Sequence, residues 1–210
     1  MLPGDPLGLP DESFCFYTLI FIDANFLSKL SNHFGNGKYF KYDLIGFSKN
    51  LCEKEKLVCK GIYYFTAPPF QSKNPTKEEE NKRESYDRFI NKLREREVIV
   101  REGRCQRLKI NDKFIYKQKG VDILITIDLM SVPLKFQAIK KIILIASDSD
   151  FVPVIKNLKE DGIKTILYTY YEKIRDTNFS RSNNLIKSVY KYVLLKKEDF
   201  DRFELRKVKK

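Results

Sequence analysis

The chain has 210 residues and a net charge of +12, from 40 Lys and Arg against 28 Asp and Glu. At ~150 residues per domain, that length means one domain with additions or two very small ones. Hydrophobic residues make up 42% and aromatic residues 13%, which excludes bulk disorder. The longest apolar run, Ile142 to Ala146, falls far short of the ~20 residues that span a bilayer, so no membrane association is expected. A pI near 9.4 makes a polyanion the first partner to consider.

Met1-Leu2-Pro3-Gly4-Asp5-Pro6 has neither the basic nor the apolar region of a secretory leader, and residues 1–12 are expected as a flexible arm. Phe14 to Ile22 (FCFYTLIFI) is a continuous run of aromatic and β-branched residues, the pattern of a strand buried on both faces in a parallel sheet. Residues 38–56 have a helix-like mixture, and Leu57 to Ala67 predicts a second strand. After Pro68-Pro69 and Pro75, Thr76 opens a long polar helix to about Glu97, with Glu79 three residues on as its capping-box partner. Val98 to Lys109 predicts a strand, with Phe114-Ile115-Tyr116 pairing as a hairpin.

Gly120 to Lys141 is ambiguous: Val121, Ile123, Ile125 and Ile127 favour strand by propensity, yet a covered apolar helix overrides propensity. Ile142 to Ala146 is the cleanest buried strand. A helix over Phe151 to Glu160 follows, with Pro153 in its first turn and Gly162 past its end. Ile163 to Thr169 predicts a strand, Ser182 to Val189 a short helix, and Tyr192 to Leu195 a terminal strand. Alternating strands and helices predict an α/β fold with a mainly parallel sheet, covering residues 13–196, and a basic C-terminal tail over 197–210.

His33 is the sole histidine, which nearly removes Ser-His-Asp, Cys-His and His-rich metal chemistry. Its setting, Ser31-Asn32-His33-Phe34-Gly35, predicts a helix end. Cys15, Cys52, Cys59 and Cys105 form no Cys-x-x-Cys pair. They are expected as reduced thiols of a cytoplasmic protein.

In an open parallel sheet, ligands bind beyond the carboxyl ends of the strands. Three such positions carry aspartate beside a small or amide neighbour: Asp23-Ala24-Asn25, Lys119-Gly120-Val121-Asp122 and Ser147-Asp148-Ser149-Asp150. Singly, each aspartate suits a helix N-cap. Together they point elsewhere, because two carboxylates about 4 Å apart repel by roughly 4 kcal/mol at an effective dielectric near 20. A converging set either protonates or binds a hard cation, and all-oxygen ligation suits Mg²⁺ or Mn²⁺. Such ions activate water and clamp phosphodiester oxygens. Residues 92–119 add ten Lys or Arg against four acids. Arg101, Arg104, Arg107, Lys109, Lys113, Lys117 and Lys119 then form either a phosphate rail or a solvated edge. Tyr170 and Tyr171 are candidates for stacking on unpaired bases.

The order of FIDANFL (Phe21 to Leu27), KGVDILITIDLM (Lys119 to Met130) and IILIASDSDFVPVIKNLKEDG (Ile142 to Gly162) resembles the NYN domain, a branch of the PIN-like nuclease superfamily. The resemblance implies a Rossmann-like sheet with an acidic pocket and metal-dependent RNA cleavage. Carried over by position, Asp23, Asp122 and Asp148 are the metal-binding core, with Asp150 completing the pocket or holding a second ion. Asn25 and Ser147 orient ligands or the attacking water, and KGVD opens a helix; Lys119, close to the proposed ligand Asp122, is the foremost candidate RNA contact of the basic run. Asp128 is second-tier, because six residues from Asp122 is about 240° around a helix.

Two departures stand out: Ser147 replaces the family's usual glycine, and Asn183-Asn184 and Ser188 stand where an aspartate is common. The expected function is a magnesium- or manganese-dependent endoribonuclease acting on single-stranded or unpaired RNA. The alternative is a binding module of the same fold without turnover. DNA stays open as a substrate, and homodimer formation is allowed. A phosphohydrolase of the haloacid dehalogenase type is disfavoured, since Asn25 stands where that chemistry needs an acid.

Overall fold

A computed structural model describes residues 16–172 and 179–205. Six strands form one parallel sheet: β1 (Tyr17–Asp23), β2 (Val58–Thr66), β3 (Ile99–Glu102), β6 (Lys141–Ile145), β7 (Lys164–Thr169) and β8 (Lys191–Leu194). Their order is β3-β2-β1-β6-β7-β8, with every neighbouring pair parallel. The chain therefore winds outward from β1 in one direction and, after crossing over, from β6 in the other.

Period-two alternation decides which helix meets which side. From β1, Ile20 and Ile22 enter one core and Leu19 and Phe21 the opposite one; β6 divides Ile143 and Ile145 from Ile142 and Leu144 in the same way. The first core is closed by α1 (Ala24–Phe34), α2 (Leu44–Lys54) and α3 (Lys77–Glu95), through Phe26, Leu30, Phe47, Leu51 and Leu93. The second is closed by α4 (Val121–Met130), α5 (Val132–Lys135), α6 (Val152–Glu160) and α7 (Asn183–Ser188), through Ile125, Leu129, Val132, Leu158 and Leu185. Each fully buried side chain of this kind contributes about 1.5–3 kcal/mol. The fold is a single doubly wound α/β domain.

α3 starts as expected: Thr76 Oγ1 accepts from Glu79 N at 3.3 Å, and Glu79 Oε2 accepts from Thr76 N at 3.1 Å. The predicted strand 98–109 is in fact two. Gly103 separates β3, in the sheet, from β4 (Arg104–Ile110), which pairs antiparallel with β5 (Lys113–Lys119) in a separate hairpin. A Cβ on Gly103 would lie 2.5 Å from the Lys119 carbonyl oxygen, so only glycine allows the hairpin to close against the sheet edge. The ambiguous segment is helical, as the resemblance implies: Gly120 at φ +80° turns β5 into α4, in a conformation that strains other residues.

The residues expected as a basic tail begin with α8 (Lys197–Asp201), and its Phe200 is fully buried in the first core. Leu205 N donates to Lys41 O at 2.7 Å. The 1–12 arm and Cys15 lie outside the described residues, as do residues 206–210. Cys52, Cys59 and Cys105 are free thiols. No helix among the described residues is long and apolar enough to cross a membrane.

Candidate active site

The strand order reverses between β1 and β6, and in doubly wound sheets the ligand crevice opens beyond the carboxyl ends at that point. Asp23 is the last residue of β1, and Ser147 and Asp148 follow β6. Both aspartates do cap, as their single-residue reading allowed. Asp23 Oδ1 accepts from Asn25 N at 2.9 Å and Phe26 N at 3.2 Å. Asp148 Oδ1 accepts from Asp150 N at 2.9 Å. Capping uses one oxygen of each carboxylate and leaves the other without a hydrogen bond among the described residues. Asp122 is different: Gly120 is the N-cap of α4 and gives no side-chain cap, so the Asp122 carboxylate in the first turn is uncommitted.

Asp23 and Asp148 share a cleft of about 370 Å³, lined also by Asn25, Lys29, Ser147 and Arg181 among others. Asp23 is only 9% exposed. Burial pushes its pKa up to about 6, partly opposed by the Phe26 and Asn25 amides; Asp122 raises it further and Lys29 lowers it. The Asp122 pKa is also raised, first by desolvation and then by Asp148 and Asp150. Across three distant segments, the charge of Asp122 is thus felt by Asp23, and the charges of Asp148 and Asp150 by Asp122.

No group of three or more His, Cys, Asp or Glu among the described residues is gathered closely enough to hold a metal ion as it stands. The acids are electrostatically coupled neighbours, not the ready-formed ligand shell that four convergent carboxylates would make. Asp122, Asp148 and Asp150 are exposed, so a rotamer change re-aims each of them without backbone movement. The donor set is all oxygen and hard, which fits Mg²⁺ or Mn²⁺.

The Asp23 shift has a measurable consequence. Its carboxyl is easier to protonate in the folded than in the unfolded chain. The stability it contributes is therefore full below about pH 3.8 and lost as pH rises to about 6. Two pH units correspond to about 3 kcal/mol. Asp23→Asn keeps the capping oxygen and removes the charge. Metal-free Asp23→Asn is expected to be more stable than wild type at pH 7.5, by up to about 3 kcal/mol, and not at pH 4. Urea unfolding at both pH values checks this; an equal effect at the two would refute it.

Other candidates sort differently. Asp128 is buried and does not line the cleft. Arg101 Nε and Nη2 donate to its two oxygens at 2.8 and 3.1 Å, so Arg101 is spent on a structural pair and leaves the phosphate rail. In the hairpin, Arg104 stands opposite Lys119, and Lys117 opposite Gln106, all on one face. Arg107 is on the other face, its guanidinium 4.7 Å from the Phe70 ring and 4.5 Å from the Phe114 ring. Tyr170 is packed against His33, Phe34 and Phe179, and Tyr171 lies under Arg181; neither is the open stacking platform expected of it. His33 closes the C-terminal end of α1 and pairs with Glu172 at 3.2 Å. Asn184 and Ser188 line an adjacent cleft with Asp150 and Lys156. Sequence reasoning missed Lys29 and Arg181, because neither sits in a motif; only the fold brings them to the acids.

A doubly wound sheet with a coupled acidic crevice at its switch point defines the class. The family model of the NYN domain matches residues 17–194, and the chain belongs to that family. This implies a PIN-like nuclease fold, in a family that is generally nuclease-like and typically dependent on divalent metal. None of the curated proteins compared matches the chain. A crystal structure of a protein of unknown function from Vibrio parahaemolyticus is similar, with a TM-score of 0.58 at 16% identity. The match covers 90% of this chain and 98% of that one, and it supports the fold alone.

Proposed function

We propose that this protein is a metal-dependent endoribonuclease acting on single-stranded or unpaired RNA. The observation that carries the reading is that Asp23 and Asp148 line one cleft at the switch point, while Asp122 raises the Asp23 pKa and is itself raised by Asp148 and Asp150. A bound Mg²⁺ or Mn²⁺ supplies Lewis-acid polarisation of phosphate and water at neutral pH. Asp23, Asp122 and Asp148 hold it, with Asp150 at the rim. Lys29 and Arg181, on the same cleft wall, bind the substrate's phosphate oxygens. The Asn25 amide and Ser147 hydroxyl orient the phosphate and the attacking water. In this reading water is the nucleophile and no covalent enzyme intermediate forms; His33, paired with Glu172 at the far end of α1, takes no part.

A labelled single-stranded RNA incubated with Mn²⁺, Mg²⁺ or EDTA tests the proposal. Internal cuts that require the metal support it; uncut RNA in all three refutes it. A DNA of the same sequence run in parallel decides between the sugars. The second reading, a binding module without turnover, is favoured by Ser147 in place of the family's usual glycine. RNA bound without metal-dependent products would establish it.

In this reading Arg104, Lys117 and Lys119 contact RNA phosphates. Their joint replacement by alanine is expected to weaken RNA binding. It should also reduce the slope of log K against log salt by about 2, at ~0.7 per phosphate on single strands. An unchanged slope would return this hairpin face to the role of solvated edge.

A further inference from the structure

The acidic crevice is one of four clefts that share lining residues along the carboxyl edge of the sheet. Ser149 belongs both to it and to a cleft of about 630 Å³ at α6 and α7. Asn25 belongs both to it and to a cleft of about 520 Å³ over the end of β2. Ser28, Tyr39, Tyr64 and Phe89 carry that cleft into a fourth of about 330 Å³. The path crosses the strand ends instead of running along any one strand. Its charges are ordered: Lys156 and Lys187 line one arm, Lys82 and Lys41 the other. Asp23 and Asp148 line the middle cleft with Lys29 and Arg181, Asp150 lines the first arm, and no acid among the described residues lines the second arm. A polyanion whose central phosphate meets a divalent cation matches that order.

The arm over β2 has a chemistry of its own. Tyr39, Tyr64, Tyr86 and Phe89 supply aromatic surface, and Asn25 and Gln118 supply amides. Tyr64 packs edge-on against Phe89 at 5.9 Å, and Tyr86 donates its hydroxyl to Glu102 at 2.8 Å. Tyr39 is uncommitted: it is 66% exposed and makes no ring contact or side-chain hydrogen bond among the described residues. An open ring at the junction of two clefts offers a flat apolar face at no cost in broken contacts, and a nucleobase is the flat apolar group that a polyanion carries.

We propose that this arm is a base pocket, in which one unpaired nucleotide beside the phosphate at the acidic crevice stacks on Tyr39 and turns its base edge to Asn25 and Gln118. Its position relative to the reacting phosphate rests on the nuclease reading; its existence does not. A base inside a duplex has both faces stacked and its edge paired, so the pocket takes single-stranded or unpaired positions only. Gln118 lies on β5, so the hairpin forms one wall of the pocket while presenting Arg104, Lys117 and Lys119 on its other face.

Fluorescence anisotropy on the full chain, in EDTA so that no cleavage intervenes, tests this with a labelled 10-nucleotide RNA and a set of the same RNA carrying one abasic site at each position in turn. Tyr39→Ala is expected to weaken binding about tenfold, with Tyr39→Phe near wild type. One abasic position should weaken wild-type binding to a similar degree and have no further effect on Tyr39→Ala. A fully paired duplex should bind both proteins alike. Unchanged affinity in Tyr39→Ala overturns the proposal, as does an abasic loss of equal size in both proteins, or no RNA binding by wild type. If the Tyr39 results hold and no metal-dependent cleavage is found, the pocket stands and the nuclease reading falls. If cleavage is found and Tyr39→Ala binds and cuts normally, the reverse is true.

Discussion

Asp148→Asn is expected to lower RNA cleavage in Mn²⁺ by at least ~10³-fold while leaving RNA affinity equal to or above that of wild type. The two halves of the expectation have separate causes. The asparagine side-chain oxygen can still accept the 2.9 Å bond from Asp150 N, so the turn that follows β6 keeps its cap and the fold persists. The negative charge is gone, and with it a hard ligand for the cation. Removing an anion from the path of a polyanion costs no affinity and relieves repulsion. Gel cleavage and anisotropy on the same RNA measure both halves. Cleavage retained by this variant at matched purity would reject Asp148 as a ligand, and the acidic crevice as the reaction centre with it.

Phe200→Ala is expected to destabilise the protein by about 3–5 kcal/mol, the usual cost of truncating a buried aromatic residue. Phe200 is fully buried, its ring 5.1 Å from those of Phe47 and Tyr42 and 5.9 Å from those of Phe34 and Phe40. These neighbours come from α1, α2 and the loop between them, so the cavity opens beneath the helix that begins at Asp23. Urea unfolding monitored by circular dichroism should show a lower midpoint at an unchanged m-value. A change within about 0.5 kcal/mol, as on a solvated tail, would show that α8 does not support the core.

Phe200 also marks a limit of sequence reasoning. Its surroundings, KKEDFDRFELRK, are so charged that Phe200 and Phe203 alone do not outweigh them. The composition predicts a solvated tail, and only the position of the first core gives that ring a place to go. Arg101 and Asp128 show the same limit: each belongs to a motif or charge run with an apparent functional role, and each is consumed by the other across 27 positions. Tyr170 likewise lies past a strand end, where an exposed ring is expected, yet it is covered by α1 and Phe179. Tyr39, in a loop without periodicity, is open instead. Nothing local distinguishes these two tyrosines.

Much else was legible. The apolar runs of β1 and β6, the Thr76–Glu79 box of α3, the strand β7 and the aspartates at strand-to-helix junctions all follow from short-range rules: two-residue alternation, capping oxygens and turn residues. Such rules act within a few residues, so the amino-acid sequence by itself determined the α/β alternation and nominated Asp23, Asp122, Asp148 and Asp150. It did not determine that β1 and β6 are neighbours, that Gly103 diverts β4 and β5 into a hairpin, or that Lys29 and Arg181 share the cleft of Asp23 and Asp148 while Tyr39 lines the next one. Those are consequences of strand order and of which face each helix covers. They are decided by burial and repulsion between separate segments, which no local window contains; β1 and β6 pair across more than a hundred positions.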